Sequence, residues 1–111
     1  MTIIYHLTNK TDWAAAQPAG EYEAPSLAEE GFIHCSKDVA QMLRVADRLY
    51  GDRTDLQSLD LDLEKLNSTV KYEPSRSGEV YPHLYGKLNL DAVLQVRDLG
   101  IDAGGRHFLK E

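Results

Sequence analysis

The chain has 111 residues, 42% of them hydrophobic and 27% charged, with a net charge of −6 and a single cysteine, Cys35. That is one small domain with a thin core, no intrachain disulfide, and an acidic surface that repels phosphate backbones and disfavours general nucleic-acid binding. The first residues, Met1-Thr2-Ile3-Ile4-Tyr5-His6, lack the basic and long apolar regions of a secretory signal. Every apolar run is too short to span a membrane, so the expected location is the cytoplasm.

In chain order, Ile3 to Leu7 is rich in β-formers and reads as a first strand. A short helix follows through Trp13–Ala16, with Thr8 or Thr11 as N-cap and Pro18 and Gly20 as its end. Ser26-Leu27-Ala28-Glu29 has the pattern of a capping box, and Gly31 stops that turn. Phe32 to Cys35 reads as a strand, and Ser36 caps the next helix. That main helix, from about Lys37 to Tyr50, is the clearest element: Val39, Met42, Leu43, Ala46, Leu49 and Tyr50 form one apolar face.

Leu59, Leu61 and Leu63 alternate with Asp60 and Asp62, the period of a strand with one wet face. Further strands are expected at Thr69–Tyr72, at Val80–Tyr81 running on toward Gly86, at Val93–Arg97 and at Arg106–Leu109, with one helical turn at Leu90–Ala92. Strands outnumber helices and do not alternate with them. The expected class is α+β with mostly antiparallel strands, not a doubly wound parallel sheet.

Three segments concentrate polar and aromatic residues. Tyr5-His6-Leu7-Thr8 places a histidine and a threonine at a strand end, where both can hydrogen-bond a hydroxyl or can serve structure alone. In Gly31-Phe32-Ile33-His34-Cys35-Ser36, strand alternation puts Phe32 and His34 on one face and Ile33 and Cys35 on the other. A His34–Cys35 nucleophile pair is thereby disfavoured, and Cys35 reads as a small core residue. In Ser77 to Gly86, the residues Glu79, Tyr81, His83 and Tyr85 share one parity and so one face if the segment is extended. His6, His34, His83 and Glu79 are possible metal ligands, but no spacing matches a helical two-histidine motif and Pro82 breaks any helix joining Glu79 to His83. No metal is expected.

Ile4-Tyr5-His6, Gly31 to Ser36, Leu43-Arg44-Val45-Ala46, and Tyr81-Pro82-His83-Leu84-Tyr85-Gly86 with Leu90-Asp91-Ala92-Val93 resemble the bacterial domain-of-unknown-function family 952, over nearly the whole chain. More distantly, the order of parts is similar to the ADP-ribosyltransferase fold and its RNA 2′-phosphotransferase relatives. Tyr5-His6-Leu7-Thr8 resembles the first motif strand of those enzymes. Gly31 to Ser36 with the long helix resembles the second, and Glu79-Val80-Tyr81 the strand that opens with their catalytic glutamate.

That resemblance implies a split, mostly antiparallel sheet and NAD or a related nucleotide as substrate, with ADP-ribosyl-transfer or glycohydrolase-like chemistry. It implies Glu79 and His6 as catalytic and Thr8, Tyr81 and Tyr85 as ligand-binding, and the segments themselves add His34 to the catalytic candidates and Ser36 and His83 to the ligand-binding ones; His34 stands where those enzymes have a tyrosine. Glu79 would stabilise positive charge on the sugar, His6 would hold a ribose hydroxyl, and Tyr81 or Tyr85 would stack on a base. Leu7 stands where those enzymes carry a glycine whose backbone grips the nicotinamide amide, and the arginine set for 2′-phosphate chemistry is not evident. The alternative is a non-catalytic small-ligand or protein-binding module on the same fold.

Overall fold

The computed structural model describes residues 1–110. Nine strands and three α-helices follow in the order β1 (Ile3–Asn9), α1 (Lys10–Ala19), β2 (Glu21–Tyr22), α2 (Pro25–Glu30), β3 (Ile33–His34), α3 (Val39–Tyr50), β4 (Leu56–Asp62), β5 (Thr69–Pro74), β6 (Val80–Tyr85), β7 (Leu88–Asn89), β8 (Val93–Ile101) and β9 (His107–Leu109). One-turn 3-10 segments lie at Leu63–Lys65 and Leu90–Ala92. The strands form three sheets, β1-β4-β8-β9, β3-β6-β5 and β2-β7, and every pairing is antiparallel. The class is α+β, and no helix among the described residues is long and apolar enough to cross a membrane.

Alternation along β1 explains the layering. Ile4, His6 and Thr8 are buried on one face, where Ile4 joins Leu59, Leu61, Ile33, Leu84 and Tyr22 in the larger core. On the other face, Leu7 packs with Leu56, Leu99 and the Leu43, Ala46 and Tyr50 stripe of α3 in a second cluster. β4 is therefore covered on both sides. Asp60 and Asp62, expected on a wet face, are only 6% exposed each. Asp60 holds the Arg97 guanidinium at 2.9 and 3.0 Å, and Asp62 caps the following 3-10 turn by accepting from the Glu64 backbone N–H. A buried carboxylate is tolerated only with such partners.

The helix starts differ from the sequence expectation in a consistent way. α1 is capped by Asn9, whose side chain accepts from Asp12 N, and not by Thr8 or Thr11; Pro18 lies inside the helix and Gly20, at φ 80°, ends it. α2 has no side-chain cap, because Pro25 begins it and Ser26 donates instead to the Phe32 carbonyl at 2.8 Å. α3 starts at Val39 with Asp38 as its cap. Ser36, the expected cap, instead exchanges two backbone bonds with Tyr5, at 2.8 and 2.6 Å. That bridge joins the four-stranded sheet to β3.

Candidate functional site

A cleft of about 680 Å³ opens where β1, α2, β3 and the C-terminal half of α3 meet. His6, Thr8, His34, Ser36, Tyr81 and His83 all line it, so the three histidines singled out in the sequence share one cavity. Its size is that of a small-molecule site, roughly 300–1,000 Å³.

The floor is a buried polar chain. His6 Nδ1 lies 2.6 Å from the His34 carbonyl, its Nε2 lies 2.8 Å from the Tyr22 hydroxyl, and that hydroxyl lies 3.0 Å from Thr8 Oγ1. A carbonyl only accepts, so Nδ1 carries the hydrogen. Burial pushes the His6 imidazole down to about 4, outweighing the bond to the His34 carbonyl that raises it. The neutral ring presents its Nε2 lone pair to the Tyr22 hydroxyl, which also donates toward Thr8 Oγ1. Burial also raises the Tyr22 phenol to about 12. Both His6 nitrogens are thus engaged within the protein, tying β1 to β3 and β2.

Next to this chain the β1 edge is open. Tyr5 N–H and C=O point away from β4 to meet Ser36. By the two-residue period those of Leu7 do the same, and among the described residues neither bonds any group outside the strand ladder. Leu7 therefore presents one donor and one acceptor side by side in the cleft. Among the charged residues of the walls, Arg48 and Arg53 come from the end of α3 and beyond it, with Asp12 of α1 near Arg53, whereas Glu29 and Glu30 come from α2. Arg53 is paired bidentately with Asp55 at 2.9 and 2.6 Å, and Arg48 has no partner among the described residues.

The Ser77–Gly86 segment turns at Ser77–Gly78 and is extended from Val80 to Tyr85, as β6, where Tyr81, His83 and Tyr85 alternate with the buried Pro82 and Leu84. It divides into two carboxylate clusters. Glu79 Oε1 takes bonds from Arg44 and, at 3.1 Å, from Gln41, while Tyr81 donates to Oε2 at 3.2 Å. The Arg44 bond, with Gln41 behind it, holds the Glu79 carboxyl below its ordinary range. Glu79 faces α3 and is not among the residues lining the cleft; Tyr81 stands between them. On the neighbouring strand β5, Glu73 accepts from Tyr85 and lies 2.8 Å from His83 Nδ1. Tyr85 is held there, outside the cleft lining. Phe32 stacks on the His83 ring at 4.1 Å, and His34, itself 2.8 Å from Glu30, meets its edge at 5.4 Å.

Cys35 is buried, its thiol pushed up to about 12 by desolvation, as a core residue should be. Among the described residues no group of three or more histidines, cysteines and carboxylates is placed to hold a metal ion. Tyr22, Glu73 and Gln41 carry the arrangement but were not singled out from the sequence. Each acts through a partner far along the chain.

Fold and cleft together define a small α+β domain with a ligand-sized cavity at a junction of sheets. The chain belongs to the family described as "Protein of unknown function (DUF952)", whose model matches residues 7–96. It is similar to protein CC0527 from Caulobacter crescentus. The crystal structure of that protein matches at TM-score 0.86 and 32% identity, covering 96% of this chain and 94% of that one. Its solution NMR structure matches at TM-score 0.81 and 34% identity, covering 96% and 91%. No curated protein matches the chain.

Proposed function

We propose that the domain binds a small planar amide-bearing nucleotide, NAD or a relative of it, in the β1–α2–β3 cleft. The observation that carries this reading is the unpartnered N–H and C=O of Leu7 inside the cleft. A carboxamide offers one acceptor and one donor, the complement of that pair. Unlike a side-chain contact, this one survives the replacement of glycine by leucine, because the Leu7 side chain turns to the α3 face. The phosphates would lie toward Arg48, away from Glu29 and Glu30, since like charges repel.

The chemistry that fits such a ligand is glycosyl transfer or glycohydrolysis, with Glu79 as the carboxylate. A second reading, binding without turnover, is favoured by one observation: the Glu79 carboxylate is held by Arg44 and Gln41 outside the cleft lining. His6 supports either reading as a positioning residue, because its nitrogens are already engaged.

A thermal-shift titration with NAD, ADP-ribose, nicotinamide and AMP tests the binding, since a ligand of the native state raises the melting temperature. Nicotinamide release by the wild type and by Glu79→Gln then separates the two readings. Loss of turnover in Glu79→Gln supports the enzyme, and binding without any release supports the module.

A further inference from the structure

The four histidines differ in what their ring nitrogens meet. Both nitrogens of His6 face protein groups, and so do both nitrogens of His107, which lie against Asp47 at 2.9 Å and the Arg53 carbonyl at 3.2 Å. His34 is tethered to Glu30 through Nε2 with half its side chain exposed. His83 combines a fixed ring with a free nitrogen. Its side chain is 13% exposed, Glu73 holds Nδ1, Phe32 covers one face, and His34 abuts the edge. Nε2 has no partner among the described residues and is not a buried atom. The ring lines the cleft.

Glu73 is itself held in place. Tyr85 donates to the same oxygen that His83 approaches, and Lys71 Nζ sits 4.9 Å over the Tyr85 ring. The Tyr85 and His83 bonds keep the Glu73 carboxyl below its ordinary range, so it is an anion that only accepts. The hydrogen of a neutral His83 is therefore on Nδ1, and the lone pair is on Nε2. A carboxylate that fixes the tautomer of a histidine whose other nitrogen is open is the arrangement of a general base.

We infer that His83, oriented by Glu73, is a general base of the cleft that takes a proton from water or from a ligand hydroxyl. The substrate class rests on the nucleotide reading above. With an NAD-type ligand, the water oxygen forms a bond to the anomeric carbon, and the glycosidic C–N bond breaks with its electron pair passing to the pyridine nitrogen. The water proton goes to Nε2 of His83 and from there to solvent. Tyr85 is a positioning residue, since it acts only through Glu73. The groups facing His83 are Glu73 and the register partner Lys71 from β5, Tyr85 from β6, and His34 from β3 with Glu30 of α2 behind it, so the base works beside a held carboxylate, a lysine and one further imidazole.

The test has two arms, on the wild-type chain and on Glu73→Gln, Tyr85→Phe and His83→Asn, each checked for native melting. In the first arm, diethylpyrocarbonate modification is followed by peptide mapping above the ordinary titration range of imidazole. It needs no substrate. His83 should be modified while His6 and His107 stay protected until unfolding, and Glu73→Gln should slow modification of His83 by about tenfold or more. Protection of His83 in the wild type, or an equal rate in Glu73→Gln and wild type, overturns the inference. If Glu73→Gln melts abnormally, Tyr85→Phe serves in its place with the same direction of change.

In the second arm, nicotinamide release from NAD should fall by about a hundredfold in kcat in His83→Asn, with KM little changed, and the alkaline-rising limb of the pH profile should disappear. Equal turnover in His83→Asn overturns the inference. If the wild type releases no nicotinamide, the enzymatic reading fails, and the base stands or falls on the first arm alone.

Discussion

His6 and His83 line the same cleft and face opposite demands. At the His6 end every polar atom has a protein partner: a carbonyl on one nitrogen, a phenol on the other, and a threonine beyond. At the His83 end one nitrogen is anchored by a carboxylate and the other is left open. The first arrangement stabilises the fold and carries no free group for a ligand. The second holds a reactive group in a fixed orientation. What decides between them is the partner on the second nitrogen, which residue type alone does not reveal.

The largest effect should come from breaking the satisfied end. His6→Ala removes a buried ring and leaves the His34 carbonyl and the Tyr22 hydroxyl without it, so we expect a loss of about 4 kcal/mol in denaturant unfolding. His83→Asn should cost far less, and equal losses at the two positions would erase the distinction.

The pH dependence of stability sharpens the same contrast. His6 binds its proton at about 4 in the folded chain against 6.5 when free. The unfolded chain therefore holds more protons between these values. Stability from this group is fully present above about pH 6.5 and is lost as the pH falls toward 4, by roughly 3 kcal/mol. Urea midpoints measured across that window should decline in the wild type and be much flatter in a folded His6 variant such as His6→Asn; parallel curves would contradict the assignment.

A smaller effect is expected at the far side of the second core cluster. The Asp47 carboxylate accepts from the His107 backbone N–H at 2.7 Å and from its ring, pinning α3 to β9. These bonds, the backbone one foremost, hold Asp47 below its ordinary range. Its contribution is present above the usual carboxylate pKa and is lost only as the pH falls below about 4. Asp47→Ala should cost about 2 kcal/mol at neutral pH by leaving buried donors unpaired. The smallest change should follow Arg44→Ala, which removes an exposed partner of Glu79 and should leave the melting temperature nearly unchanged.

Much of the fold was legible because it rests on local periodicity. The α3 stripe, the extended β6 and its one-sided row of Tyr81, His83 and Tyr85, and the split of Phe32 and His34 from Ile33 and Cys35 all follow from spacing. What was not legible rests on distant partners. The caps went to Asn9 and Asp38 because Thr8 turns to Tyr22 and Ser36 is held by its backbone bridge to Tyr5. Asp60 looked solvent-facing because its arginine is 37 residues away. In the site, His6, His34 and His83 lie in three separate segments, and no spacing between them places them in one cavity. The pairing of Glu73 with His83, and of Glu79 with Arg44 and Gln41, depends on a register between β5 and β6 and on the packing of α3, neither of which is written in any short motif.

The central claim is that the open Leu7 edge receives a carboxamide. The most direct test is calorimetric binding of NAD compared with its analogue in which the nicotinamide carboxamide is a carboxylate. Loss of the donor to the Leu7 carbonyl, with an anion in its place, should weaken binding by about tenfold or more. Equal affinity for the two, or no binding of NAD at millimolar concentration, would contradict it.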